Sequence, residues 1–167
     1  DKYLTDMPVE VDPGLAALVN LLNDRASDEM RQQLISRIKY VPNTSRTKLC
    51  NLISKCLFPC MIWDYGNFKE EVHVIMNCES EIDLPEAYER ASRRFLEPDG
   101  YGNVAIGCST VSVALKASDP VQQDLLAVSA ASQLIGFEEE FGWAELLQIL
   151  DFILDLDDSP YIARKQS

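Results

Sequence analysis

The sequence predicts an all-α protein of two four-helix subdomains packed together, about eight helices in all. Three observations predict it. Apolar residues recur every three or four positions in most stretches between breaks. Asp12-Pro13 and Ser118-Asp119-Pro120 are strong helix starts, while Glu97-Pro98-Asp99-Gly100 is a strong interruption. A polar stretch, Glu79 to Asp83, divides the pattern into residues 1–80 and 81–167.

Asp12 reads as an N-cap and Pro13 as the first helical position. Leu15, Leu18, Val19 and Leu22 follow at helical spacing, and Asn23-Asp24-Arg25 closes this helix. Ser27 caps a second helix, with Asp28 and Glu29 at its positive end. Met30, Leu34, Ile38 and Val41 form its stripe, and Pro42 stops it. Thr44 or Ser45 caps a third, which buries Leu49, Leu52, Ile53 and Cys56 and which Pro59 ends. Lys48 and Lys55 share its opposite face. After a turn at residues 63–67, a fourth helix carries Phe68, Val72, Ile75 and Met76.

Pro85 starts the fifth helix, with Leu84, Tyr88, Ala91 and Phe95 on one side. Residues 102–117 are rich in β-branched side chains, which favour a strand. Yet Val104, Ile106 or Cys108, Val111 and Leu115 also fit a helix packed closely through small residues, and helix is the prediction. The seventh helix turns Val121, Leu125, Val128, Ser132 and Ile135 inward, and Gly136 ends it. The last runs from about Glu138 to Leu156. Its apolar side is Leu146, Ile149, Ile153 and Leu156, and its other side is Glu145, Asp151, Asp155 and Asp158.

Charge is unevenly spread. The chain has 15 Lys+Arg against 27 Asp+Glu. Residues 1–80 hold 9 basic and 11 acidic side chains, and residues 81–167 hold 6 and 16. Within this anionic chain, Arg31, Arg37, Lys39, Arg46, Lys48 and Lys55 form an island with no acid among them. The island is a candidate surface for membrane, phosphate or partner. Arg90, Arg93 and Arg94 are a second basic cluster, with Glu86, Glu89 and Glu97 near enough in sequence to pair with it. Glu145, Asp151, Asp155 and Asp158 are a candidate acidic assembly face. The island of one molecule would meet that face on the next, head to tail, weakening with salt and toward pH 5.

Catalytic signals are weak. His73 is the single histidine, and no phosphate-binding glycine loop is present, so we expect no enzyme and no cofactor. Cys56, Cys60, His73 and Cys78 have zinc-module spacing. Cys56 also lies on an apolar stripe, so we expect packing and no metal. The five cysteines, an odd number, read as reduced thiols of a cytosolic or nuclear protein. No apolar run approaches the roughly 20 residues of a membrane span. The chain opens on Asp1 and reads as a piece of a longer protein.

Three stretches carry a resemblance. LISRIKYVPNTSRTKLCNLISKCLFP gives a helix, a Pro-containing turn and an apolar helix. DLPEAYERASRRFL is an acidic lead into a helix with a basic cluster. PVQQDLLAVSAASQLIGFEEE is a late helix rich in small residues. In this order they resemble the N-terminal domain of orthomyxovirus matrix proteins, over most of residues 15–140. The acidic composition is similar to a thogotovirus-like genus rather than to influenza. The resemblance implies a self-associating layer in the virion, between the anionic inner leaflet of the envelope membrane and the viral ribonucleoprotein. It implies residence in host cytoplasm, nucleus and the inner face of the plasma membrane. Arg90, Arg93 and Arg94 stand where the family has its basic helix cluster, and direct RNA binding is left open. The alternative is a non-enzymatic helical protein–protein adaptor.

Overall fold

The computed structural model describes residues 12–38, 49–63, 69–78, 83–96 and 102–154, with the side chains of Ile38 and Trp63 excepted. Among these residues all regular structure is helical and there is no strand. The eight helices among the described residues are α1 (Pro13–Arg25), α2 (Asp28–Ile38), α3 (residues 49–63), α4 (Lys69–Met76), α5 (Asp83–Phe95), α6 (Gly102–Lys116), α7 (Pro120–Ser132) and α8 (Glu140–Ile153). The ambiguous stretch at 102–117 is helix. Val104, Cys108 and Val111 are buried there, and Ile106 is exposed. Val41, Pro42, the Thr44 or Ser45 cap, the turn after Trp63, Phe68, most of the polar boundary, the 97–100 break and Leu156 lie outside the described residues.

Local chemistry sets the starts. The Asp12 carboxylate accepts the Leu15 N–H at 3.0 Å, and Pro13 sits where an N–H would be unpaired. The Ser27 hydroxyl accepts the Met30 N–H at 3.3 Å. In α1, Leu15, Leu18, Val19 and Leu22 are fully buried, each leucine worth roughly 1.5–3 kcal/mol.

Pro59 does not end α3. The helix passes through a π-helical turn, Ile53–Leu57, and continues as Phe58–Trp63. In that turn the Phe58 N–H donates to the Ile53 carbonyl, five residues back. Pro59 has no N–H, so the Ser54 carbonyl receives neither of the helical donors it would otherwise have. The Tyr88 hydroxyl, from α5, donates to that carbonyl. Tyr88 is fully buried and meets Phe58 edge to face, with centroids 5.9 Å apart. A proline that would break an isolated helix is thus tolerated through a tyrosine on another helix.

One core runs through both halves of the chain. It joins Leu15 of α1, Leu49 of α3, Tyr88 of α5 and Leu146 of α8. Helix α7 lies at its centre, against α1, α3 and α6. The predicted inward line of α7 is displaced. Val121 is exposed and Leu125 and Ser132 are half-buried, while Asp124, Ala127, Val128, Ala130 and Ala131 are buried. Small side chains face inward because three helices crowd this one. At Gly107 of α6, an added Cβ would lie 3.0 Å from the Phe58 ring and 3.3 Å from the Ala130 carbonyl.

Helices α5 and α6 pack antiparallel. The Ser92 hydroxyl donates to Ala105 O and the Ser112 hydroxyl to Pro85 O, each at 2.8 Å. Helix α8 is tied to α1 by the Trp143 indole N–H, which donates to Leu22 O at 2.7 Å. The regular part of α8 begins after a kink at Phe141 and Gly142, where Gly142 takes φ +85°. The Glu145 carboxylate accepts the Gly142 N–H, the reciprocal half of a capping box.

Candidate functional site

Of the basic island, Arg31, Arg37 and Lys55 are described, and the two arginines are engaged within the chain. The Arg31 guanidinium turns back onto the end of α1. It donates to Asn23 Oδ1 at 2.9 Å, to the carbonyls of Asn23 and Ala26 at 3.4 and 3.2 Å, and to Asp28 at 3.0 Å. It adds a second donor to the Asn23 carbonyl, which also accepts the Ala26 N–H, and reaches the Ala26 carbonyl just past the helix end. Arg37 binds Asp151 of α8 through two nitrogens and also donates to Gln33 O. Lys55 is exposed on α3. Lys39, Arg46 and Lys48 lie outside the described residues.

Of the expected acidic assembly face, Glu145 and Asp151 are described, and both are turned inward. Glu145 is buried and caps α8, and Asp151 is buried against Arg37. A residue expected on the island and one expected on the acidic face are paired inside one chain. Desolvation explains this, because a buried carboxylate needs a cation or an N–H donor. Asp155 and Asp158 lie outside the described residues.

The second basic cluster reaches solvent at all three of its residues. Arg90, Arg93 and Arg94 are all exposed on α5. With α4 they line a groove of about 350 Å³. Glu70, Glu71 and Val74 form the α4 wall, and Ala87 and Ala91 lie on the α5 side. Arg90 pairs with Glu86 at 3.0 Å, and Arg94 with Glu71 at 3.4 Å. Glu89 is taken by Lys116 at 2.6 Å, and that hydrogen bond and charge hold its carboxyl below the usual range. Arg93 and Glu70 have no ion-pair partner among the described residues. The α4 wall was not foreseeable from helical periodicity. Its one signal was Val74, an apolar residue out of register with Val72 and Ile75, and it is 46% exposed.

A smaller cavity of about 150 Å³ lies among Cys50, Lys55, Leu84, Leu115 and Gln123. Burial, with the Asp124 carboxylate adding to it, pushes the Cys50 thiol up to about 11. A thiol so protonated is a poor nucleophile. Burial also pushes Cys56 up to about 11 and Cys108 up to about 12. Cys56 and Cys60 are buried in α3, His73 is exposed on α4, and the Cys78 thiol donates to Val74 O at 3.1 Å. Among the described residues, no three His, Cys, Asp or Glu side chains converge on a metal position. None of the described helices is long and apolar enough to cross a membrane.

No protein family, curated protein or solved structure matches this chain. What the site can do follows from its own chemistry.

Proposed function

We propose that this chain is a matrix-type structural protein. It is a non-enzymatic helical domain that self-associates beneath a viral envelope and links the anionic inner leaflet to the viral ribonucleoprotein. The observation that carries the reading is the exposed arginine cluster of α5. Arg93 has no ion-pair partner among the described residues. Arg90 is held by an exposed pair of the kind worth about 0–1 kcal/mol, which an anionic surface can displace. Membrane contact would be peripheral and electrostatic. The all-α architecture agrees with the resemblance in the sequence. Self-association would use surfaces other than Arg37 and Asp151, which are spent on each other. Residence in the virion, and in host cytoplasm, nucleus and plasma-membrane inner face, belongs to the same proposal.

Cosedimentation with vesicles tests it. Each arginine near an anionic leaflet contributes about 1 kcal/mol. Phosphatidylserine vesicles should pellet the chain in a salt-sensitive way, and neutral phosphatidylcholine vesicles should not. Reversal of Arg90, Arg93 and Arg94 to Glu should abolish pelleting. Equal pelleting by both lipids, or none with phosphatidylserine, refutes the membrane reading. The adaptor reading is favoured by a separate observation, the carboxylates on the opposite wall of the groove.

A further inference from the structure

The groove between α4 and α5 carries opposite charges on its two walls. On α4, Glu70 is exposed and without an ion-pair partner among the described residues. On α5, Arg93 is in the same state. Between them lie Val74, 46% exposed, and the small side chains Ala87 and Ala91. A short alanine-lined wall lets another backbone come close, and an aliphatic side chain can cover Val74.

We propose that this groove docks an amphipathic helix of a protein partner. The occupant has an aliphatic strip with an acidic residue along one edge and a basic residue along the other. The acid meets Arg93, the base meets Glu70, and the strip covers Val74. Charge complementarity selects this occupant. A nucleic acid strand laid in the groove is anionic throughout, so it would face Glu70 and Glu71 as well as the arginines. A purely acidic helix has the same fault on the α4 wall. Only a mixed-charge helix sets an opposite charge against both Arg93 and Glu70. This inference rests on the adaptor reading and names the chemistry of the partner for its groove.

The test uses the full chain and three fluorescein-labelled helical peptides of about 14 residues, roughly four turns. All share one leucine strip. One has Glu on one edge and Lys on the other, one has Glu on both, and one has Lys on both. Fluorescence anisotropy should show saturable binding of the mixed peptide, at least about tenfold tighter than either other peptide. Arg93→Glu makes both of these wall charges negative, so preference should switch to the Lys/Lys peptide. Val74→Ser, at an exposed position, should weaken all three while circular dichroism stays unchanged. Absence of saturable mixed-peptide binding, or failure of Arg93→Glu to change the order, overturns the proposal. Tighter binding of the Glu/Glu peptide also overturns it. Phosphatidylserine vesicles form a separate arm. If they bind the chain and exclude every peptide, the groove is an anion surface and the membrane reading alone survives. If the mixed peptide binds and vesicles do not, the membrane reading falls and this inference stands.

Discussion

Replacing Tyr88 by Phe removes one hydroxyl and nothing else from the core. The ring keeps its edge-to-face contact with Phe58, and the vacated volume is too small to count as a cavity. What is lost is the donor to the Ser54 carbonyl in the π turn of α3. Pro59 cannot replace it, and the Phe58 N–H is committed to Ile53. A buried acceptor left unpaired costs about 1–3 kcal/mol. For a chain of this length that corresponds to a fall of about 2–10 °C in Tm. Urea unfolding followed by circular dichroism should show a lower midpoint with an unchanged slope. Pro59→Ala supplies the decisive control, because it returns an N–H to position 59. In that background Tyr88→Phe should cost less, a coupling read from the double-mutant cycle. If Tyr88→Phe costs under about 0.5 kcal/mol, the hydroxyl is not satisfying a stranded carbonyl. An equal cost with and without Pro59 would refute the reasoning as well.

Three further outcomes are expected. Arg37→Ala and Asp151→Ala should each destabilise by roughly 2–4 kcal/mol, since each strands a largely buried charge; the double variant should cost less than the sum, and strict additivity would mean no pairing. Gly142→Ala should cost about 1–3 kcal/mol, because φ is +85° and the new Cβ would lie 3.1 Å from the Met61 methyl; an unchanged melting curve would contradict this backbone conformation. Thiols should react in order of exposure, half-buried Cys78 before buried Cys108, with Cys50 and Cys56 slow at neutral pH. Their native pKa values of about 11 to 12 exceed the ordinary 9.0, so the native state holds protons the unfolded chain releases. Stability should therefore be intact below about pH 9 and fall as pH rises toward about 11, and a flat alkaline profile would refute the burial of these thiols.

The inward face of a helix could be read from sequence where leucine, valine and aromatic residues mark it. Leu15, Leu18 and Leu22 in α1 and Leu84, Tyr88 and Phe95 in α5 are buried as their spacing implies. The face of α7 could not, because its inward residues apart from Val128 are alanines and an aspartate, which carry little periodic signal. Punctuation misled at Pro59, where a tertiary hydrogen bond from Tyr88 overrides a local rule. The fate of the charges was least legible. Nothing near Arg37 shows that its partner is Asp151, 114 residues away. Arg31 looks as available as any other arginine until the end of α1 is folded beneath it. In the α4–α5 groove the α5 arginines were visible as a cluster. Their pairing state, and the carboxylates facing them, needed the packing of two helices.

Asp124 and Gly14 bear on how this sequence can change. The Asp124 carboxylate, buried on α7, accepts the Cys50 N–H at 3.0 Å near the start of α3. A side chain at position 14 would put its Cβ 2.8 Å from the Cβ of Asp124. Because the collision is with a Cβ, exchanging Asp124 for another non-glycine residue leaves it in place. Removing that Cβ would also remove the carboxylate that holds the Cys50 N–H. No exchange at 124 short of glycine relieves the conflict at 14. Random mutagenesis with selection for folded chains should therefore recover glycine at 14 almost without exception, while Pro13 beside it, exposed to solvent, drifts freely.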